Sequence, residues 1–273
     1  MGKRENKSLL VVTLVSVLII FTGCGGPVSD PVSPSGTKVT PEKRGEEIVA
    51  EFLKRDASPF RKIRLRFTIK AEDEPEKIHE VDNWRKQTAE GTTTLTQIVK
   101  PAEDADLGSL TVEIKGQKSV VTTYVASRGE FRETDTKKMF FGGLTAGELL
   151  GEWDKFSYRL TGEKELDGGK VFEVEGKLKN DAESVISNMK VLFRADNYFP
   201  AELHFFDNTG REIRTYKVTE LKESAGHMFA ARTEADNPIY RSKITIEFLT
   251  CEFPQTLDDA MFSREKLKTL AKK

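Results

Sequence analysis

Three histidines, His79, His204 and His227, and two cysteines, Cys24 and Cys251, are the residues of this 273-residue chain best suited to hold a metal or attack a substrate. Their spacing does not favour either role. No histidine has a second ligand at i+4 or a similar interval, so no metal site is expected and each ring reads as a surface or packed imidazole. No G-x-S-x-G turn presents a serine nucleophile. Gly142-Gly143 lacks the G-x-x-x-x-G-K frame of a phosphate loop, and Gly168-Gly169 sits where a hairpin turn is expected. The 44 Asp and Glu residues are abundant, but sequence does not set any two of them ~5 or ~9 Å apart, as glycoside hydrolysis needs. The expectation is therefore no enzyme and no cofactor. Arg64, Arg66, Arg85 and Lys86 concentrate positive charge and read as ordinary solvent-facing strand residues. The 43 Lys and Arg nearly cancel the acids, which excludes the basic surplus of a nucleic-acid binder.

The chemistry that remains is at Cys24. Lys3, Arg4 and Lys7 precede an apolar run from Leu9 to Thr22. As a helix that run spans ~21 Å, short of a ~30 Å hydrocarbon core. It ends in Phe21-Thr22-Gly23-Cys24, which resembles the lipobox of bacterial lipoproteins. Residues 1–23 then form a lipoprotein signal peptide, and acylation of Cys24 tethers the chain to a membrane. An uncleaved membrane anchor and a plain secretory signal fit the same run, and all three place the rest of the chain outside the cytoplasm. Met1-Gly2 is not a myristoylation start, because position 6 is Asn6. Gly25, where an aspartate would signal inner-membrane retention in enterobacterial-type sorting, favours the outer membrane. With Cys24 acylated, Cys251 has no intrachain partner and reads as a buried small hydrophobe.

The elements that would position a site follow from periodicity. Residues 24–40 are rich in Gly, Pro, Ser and Thr and read as a flexible tether. Thr40-Pro41-Glu42 is a helix start, opening an N-terminal helix over 41–57 with Ile48, Val49, Phe52 and Leu53 on one face. Beyond Phe60 the period changes to two: Ile63, Leu65, Phe67 and Ile69 alternate with polar residues, as do Ile244, Ile246 and Phe248. Strands are also expected over 77–87, 92–99, 109–115, 119–126, 156–160, 171–178, 188–195, 201–206, 212–221 and 228–234, with turn residues between many of them. Residues 41–273 read as one mainly β domain, built on an antiparallel sheet or barrel with a few helices. The apolar segment 139–153 interrupts the alternation, and Thr145 is placed to cap a short helix in it. The tail, Leu257–Leu270, is expected to be helical or irregular. Core packing is the default for Trp84 and Trp153, with Trp153 the better candidate to line a ligand site.

A set of ordered landmarks resembles the LolA-like outer-membrane lipoprotein-sorting family over roughly residues 75–265. They are Trp84-Arg85-Lys86, Thr92-Thr93-Thr94, Val99-Lys100-Pro101, Met139 to Leu150 centred on Gly142-Gly143-Leu144-Thr145, Phe156 to Glu163, Asp167-Gly168, Tyr198-Phe199-Pro200 and Phe205-Phe206-Asp207 with Gly210. Between Val120 and Thr134 the chain departs from the family, with Tyr124-Val125-Ala126-Ser127 where a Leu-Pro step and a basic cluster are expected. The resemblance implies a strongly curved antiparallel sheet, an incomplete barrel wrapped around helices, with an apolar cavity that takes lipid or lipoprotein acyl chains. By the same analogy Phe140, Phe141, Leu144, Leu149, Leu150 and Trp153 form a lid, or else a permanent core helix. The implied role is a membrane-anchored, periplasm-facing envelope lipoprotein that binds lipid or an acylated lipoprotein in lipid sorting. The alternative is an interaction or sensor module that binds an envelope protein partner.

Overall fold

A computed structural model describes residues 22–24, 39–54, 58–114, 117, 119–134, 139–140, 144–145, 153–179 and 185–271. Most of the signal peptide and of the tether, the C-terminal end of the 41–57 helix and most of 139–153 lie outside the described residues.

Helix α1, Pro41–Lys54, begins where Thr40 Oγ1 accepts a hydrogen bond from Lys43 N at 3.2 Å. Its stripe of Gly45, Ile48, Val49 and Phe52 is buried, while Leu53 is 42% exposed. The expected face is therefore correct but for its last member. Sixteen further elements among the described residues are strands. A short β1, Thr22–Cys24, pairs with His227–Phe229. Next come β2 Phe60–Ala71, β3 Lys77–Gln87, β4 Gly91–Lys100, β5 Leu107–Ile114, β6 Val120–Val125 and β7 Glu130–Thr134. Met139–Phe140 and Leu144–Thr145, β8 and β9, pair only with each other. The second series is β10 Phe156–Leu166, β11 Gly169–Leu178, β12 Asn188–Arg194, β13 Pro200–Phe206, β14 Glu212–Ser224, β15 His227–Asn237 and β16 Ser242–Glu252. Helix α2, Arg264–Leu270, closes the chain, capped by Ser263 Oγ, which accepts from Lys266 N.

Each series is an up-and-down meander, and the two are joined where β16 pairs antiparallel with β2, Ile244 opposite Ile69. The result is one curved, open antiparallel sheet in the order β10 to β16, then β2 to β7. Its edges, β10 and β7, are the two strands that residues 135–155 connect. The nominated segment thus begins at one edge and ends at the other.

Turn chemistry sets the registers. Asp167-Gly168 and Ala225-Gly226 both have two successive residues at positive φ, which matches the twist of a two-residue hairpin. The β13–β14 turn depends on Asp207, whose carboxylate accepts from Thr209 Oγ1 at 2.6 Å, Thr209 N at 2.9 Å and Arg211 N at 3.0 Å. These bonds, led by the Thr209 hydroxyl, hold the carboxyl down to about 2 from an ordinary 3.8. A depressed carboxyl contributes stability that is present above its unfolded value and lost as pH falls through its folded value. Asp207→Asn should therefore lower the urea midpoint at pH 7, and its gap from the parent should close between pH 3.8 and about 2. A gap that persists at pH 2 would show that the turn does not depend on the charge.

Candidate ligand-binding face

Which residues line the concave side follows from strand parity. Ile63, Leu65, Phe67 and Ile69 of β2 point inward and are buried in the main core with Val81, Ile98, Leu107, Val121 and Val125 of the following strands. Over β10 to β13 the concavity is filled by α1. Phe52, fully buried, lies 5.2 Å from the Trp153 ring, 5.8 Å from Phe193 and 6.1 Å from Phe199. Trp153 is buried, and its carbonyl accepts from the Tyr158 hydroxyl at 2.7 Å; burial pushes the Tyr158 phenol upward. Helix α1 also covers the β10 edge, because Glu46 Oε1 accepts from Tyr158 N at 2.9 Å. Of the six nominated lid residues, Trp153 is placed in the core. Phe140 and Leu144 are placed by backbone alone, in β8 and β9, while Phe141, Leu149 and Leu150 lie outside the described residues.

The far half of the concave face differs from the expected greasy lining. In phase with Ile63 and Leu65 stands Arg61, 1% exposed. Opposite it in register is Arg85, then Thr94, then Thr111. One step inward along the strands runs a second polar row, Asn83, Thr96, Ser109 and Thr123, in which Asn83 Nδ2 donates to Thr96 Oγ1 at 2.9 Å. All eight side chains are buried. The reading of Arg85 as solvent-facing is thereby corrected. Arg64 and Arg66, one step out of phase, do face outward and pair with Asp82 and Glu80. Glu80 is held low by Arg66 and Lys100 against the opposing effect of its own burial.

The apolar surface of these strands lies on the other side. Leu95, Leu110 and Tyr124 pack on the convex face against Leu267 and Ala271 at α2. Gly108 permits that contact: a Cβ there would lie 2.8 Å from Leu267 Cδ1. Strands β4 and β5 are thus covered on both faces, which alternation alone does not reveal.

A cavity of 710 Å³ opens at the loop end of β10 to β14, lined by Leu166, Asp167, Lys170, Val171, Arg194 and Lys217 among others. Its lining mixes apolar and charged groups, and Arg194 and Lys217 are both paired within the chain. The Arg194 guanidinium donates to the carbonyls of Pro200 and Val218, and Lys217 pairs with Asp167 at 3.3 Å and Glu202 at 3.5 Å. It is not the expected apolar hollow.

The histidines stay apart. His79 is half-buried and lowered chiefly by that burial, His204 lies between Glu202 and Glu212, and His227 stacks on Phe253. No metal-binding cluster occurs among the described residues, and no helix among them is long and apolar enough to cross a membrane. Cys251 is half-buried against the core rather than fully buried. Cys24 ends β1, with its backbone opposite His227.

Comparison with known proteins bears on the fold. Residues 90–269 match the model of a family described as an uncharacterized protein. No curated protein matches the chain in sequence. Among solved structures, a DUF1329 family protein from Desulfovibrio piger aligns with TM-score 0.78 at 18% identity, over 84% of this chain and 100% of its own. A putative outer membrane lipoprotein-sorting protein domain from Vibrio parahaemolyticus gives 0.76 at 16% identity, over 83% and 99%. A LolA superfamily protein from Nitrosomonas europaea gives 0.67 at 14%, over 84% and 99%. The expected open, strongly curved sheet of the LolA type is therefore correct.

Proposed function

We propose that this chain, which belongs to that family of uncharacterized proteins and carries the LolA-superfamily fold, is a cell-envelope protein that binds the acyl chain of a lipid or lipoprotein on the concave face of its sheet. The observation that carries the reading is the inner apolar belt of Leu65, Phe67, Val81, Ile98, Leu107 and Val125, which runs from strand β2 toward the free β7 edge of a sheet that never closes. A hydrocarbon chain laid along such a belt would gain about 25 cal/mol per Å² of apolar surface removed from water. The belt is covered in this state, so entry needs a cover that moves. Segment 139–153, which joins the two sheet edges, is the proposed lid through Phe140, Phe141, Leu144, Leu149, Leu150 and Trp153. Acylated Cys24 is the proposed membrane anchor, with residues 24–40 as tether and the domain facing the periplasm. Such a protein handles lipid at one membrane and does not diffuse between two.

The test is lipid occupancy. The full chain, extracted gently from membranes, should show a bound acyl lipid by native mass spectrometry and should take up a fluorescent fatty acid. Cys24→Ser should leave uptake intact and release the chain from the membrane fraction. Absence of both co-purified lipid and uptake would overturn the acyl-binding reading, and a Cys24→Ser chain still bound to membranes would overturn the anchor.

A further inference from the structure

We infer that the 710 Å³ cavity at the loop end of β10 to β14 is a second binding site, for a small zwitterion: the Arg194 guanidinium takes its phosphate or carboxylate, and Asp196 takes its ammonium. The site lies outside the acyl-binding face. Phe172, Phe193 and Val218 point into the main core. Their strand neighbours Val171, Arg194 and Lys217 therefore face the convex side, with Val171 and Arg194 directly opposite each other.

Two β-bulges shape the cavity. On β13, Glu202 stands opposite Leu192 and Pro200 opposite Phe193, which leaves Ala201 as the extra residue. On β14, Val218 stands opposite Thr233 and Glu220 opposite Arg232, which leaves Thr219. Both extra residues line the cavity. A bulge interrupts the ladder and bends its strand, and two on neighbouring strands open the convex surface between them. Arg194 spans both. Its Nη1 donates to Pro200 O at 2.9 Å and its Nη2 to Val218 O at 3.3 Å. Those bonds fix the guanidinium on neutral carbonyls and use two of its five N–H groups.

The other cations of the lining already hold acids. Lys170 pairs with Glu163, and Lys217 with Asp167 and Glu202. Arg194 makes no ion pair among the described residues, nor does Asp196, which is exposed two residues further on. Burial pulls the Arg194 pKa down, and Asp196, Asp167 and Glu202 oppose it without reaching ion-pair distance. A guanidinium that is partly desolvated and touches no carboxylate keeps forked donors for a phosphate or carboxylate. The Asp196 carboxylate close by would repel a plain anion, so the arrangement favours a ligand that carries an ammonium as well. Leu166 and Val171 supply an apolar wall for the carbon atoms between the two charges.

The experiment is calorimetric titration of the full chain in neutral detergent at pH 7 with two pairs of probes. Glycerophosphoethanolamine and glycerophosphoglycerol are phosphodiesters that differ in the ammonium; alanyl-alanine and its N-acetyl form are carboxylates that differ in the same way. In the pair that binds, which names the anionic group, the zwitterion is expected to bind about fivefold more tightly, the upper range for an exposed ion pair. Asp196→Asn should bring that ratio close to one. Arg194→Gln should weaken both members about tenfold or more. Because Arg194 also braces two strands, Gly169→Leu is the second variant. Gly169 lines the cavity, is not at positive φ, and a Cβ there would meet only Leu166 O at 3.8 Å. The variant should keep the parent's thermal midpoint and lose binding of every probe. Failure of both zwitterions to bind would overturn the site. So would a zwitterion no tighter than its amine-free counterpart, or binding that survives Gly169→Leu. Fatty-acid uptake tests the acyl-binding reading separately and should be unchanged in all three variants.

Discussion

Alanine at Phe52 is expected to lower the free energy of unfolding by about 3–5 kcal/mol, the usual cost of emptying a buried phenylalanine site. Helix α1 has fourteen residues, close to the length at which an isolated helix is marginal in water. Its stability therefore comes from the face it buries. Phe52 is the largest side chain on that face and reaches three rings from two directions: Trp153, and Phe193 and Phe199. Those rings belong to a continuous core, and packed aromatic walls collapse only partly around a vacancy. The measurement is the urea midpoint at unchanged slope. Leu53→Ala, one residue on and 42% exposed, should change stability by no more than about 0.5 kcal/mol. A Phe52→Ala cost near that of Leu53→Ala would mean that α1 is a loosely seated cover, itself free to leave when ligand arrives.

The contrast between those two neighbours shows what could be read in the chain beforehand. A helical period marks Ile48, Val49 and Phe52 as one face and places Leu53 at its margin, and the margin is decided by tertiary contact alone. The same limit applies to the strands. Period-two alternation locates β2 to β6 and β10 to β16 but not β1, β8 or β9, the last holding Thr145, the expected cap of a short helix; Asp167-Gly168 marks its hairpin because both residues must take positive φ. Strand β7 is missed because it is short, and its three central residues, Phe131, Arg132 and Glu133, carry only one apolar side chain. The pairing of β16 with β2 is not legible, since Ile244 and Ile69 are too far apart in sequence for any local signal to link them.

The candidate site was the least legible part, for a physical reason. Alternation separates two faces of a strand without saying which is concave. On β4 the run Thr92-Thr93-Thr94-Leu95-Thr96-Gln97-Ile98 offers Leu95 to one side and Ile98 to the other. Helix α2 covers Leu95 from outside, so Thr94 and Thr96 face inward. The usable signal was phase: Arg61 continues the Ile63, Leu65, Phe67 series, and Arg85 continues Val81 and Asn83. A charged residue in phase with a buried series is the mark of a polar group placed inside at a cost, and it is visible before any coordinates are.

Gly45→Ala should destabilise the protein even though alanine is the better helix former. On propensity alone the change would stabilise α1 by about 1 kcal/mol. Against that, a Cβ at position 45 would lie 2.5–2.7 Å from the backbone N, Cα and C of Arg159. Backbone atoms of a paired strand cannot swing aside as a long side chain can, so the helix must lift. Overpacking of this kind costs about 1–3 kcal/mol. Lifting also stretches the bond from Tyr158 N to Glu46 Oε1, which caps the β10 edge, and an edge donor buried without its acceptor costs about 1–3 kcal/mol more. The balance is a net loss of about 1–5 kcal/mol, read as a lower thermal midpoint. Ala50→Gly, on the exposed face of the same helix, isolates the propensity effect and should cost about 1 kcal/mol. Because the lifted helix uncovers the concave face beside Trp153, Gly45→Ala should also take up fluorescent fatty acid faster than the parent. A Gly45→Ala variant that is more stable than the parent would show that α1 does not seat this closely on β10. One that is less stable but no faster in uptake would place the entry route at the β7 edge, away from the helix.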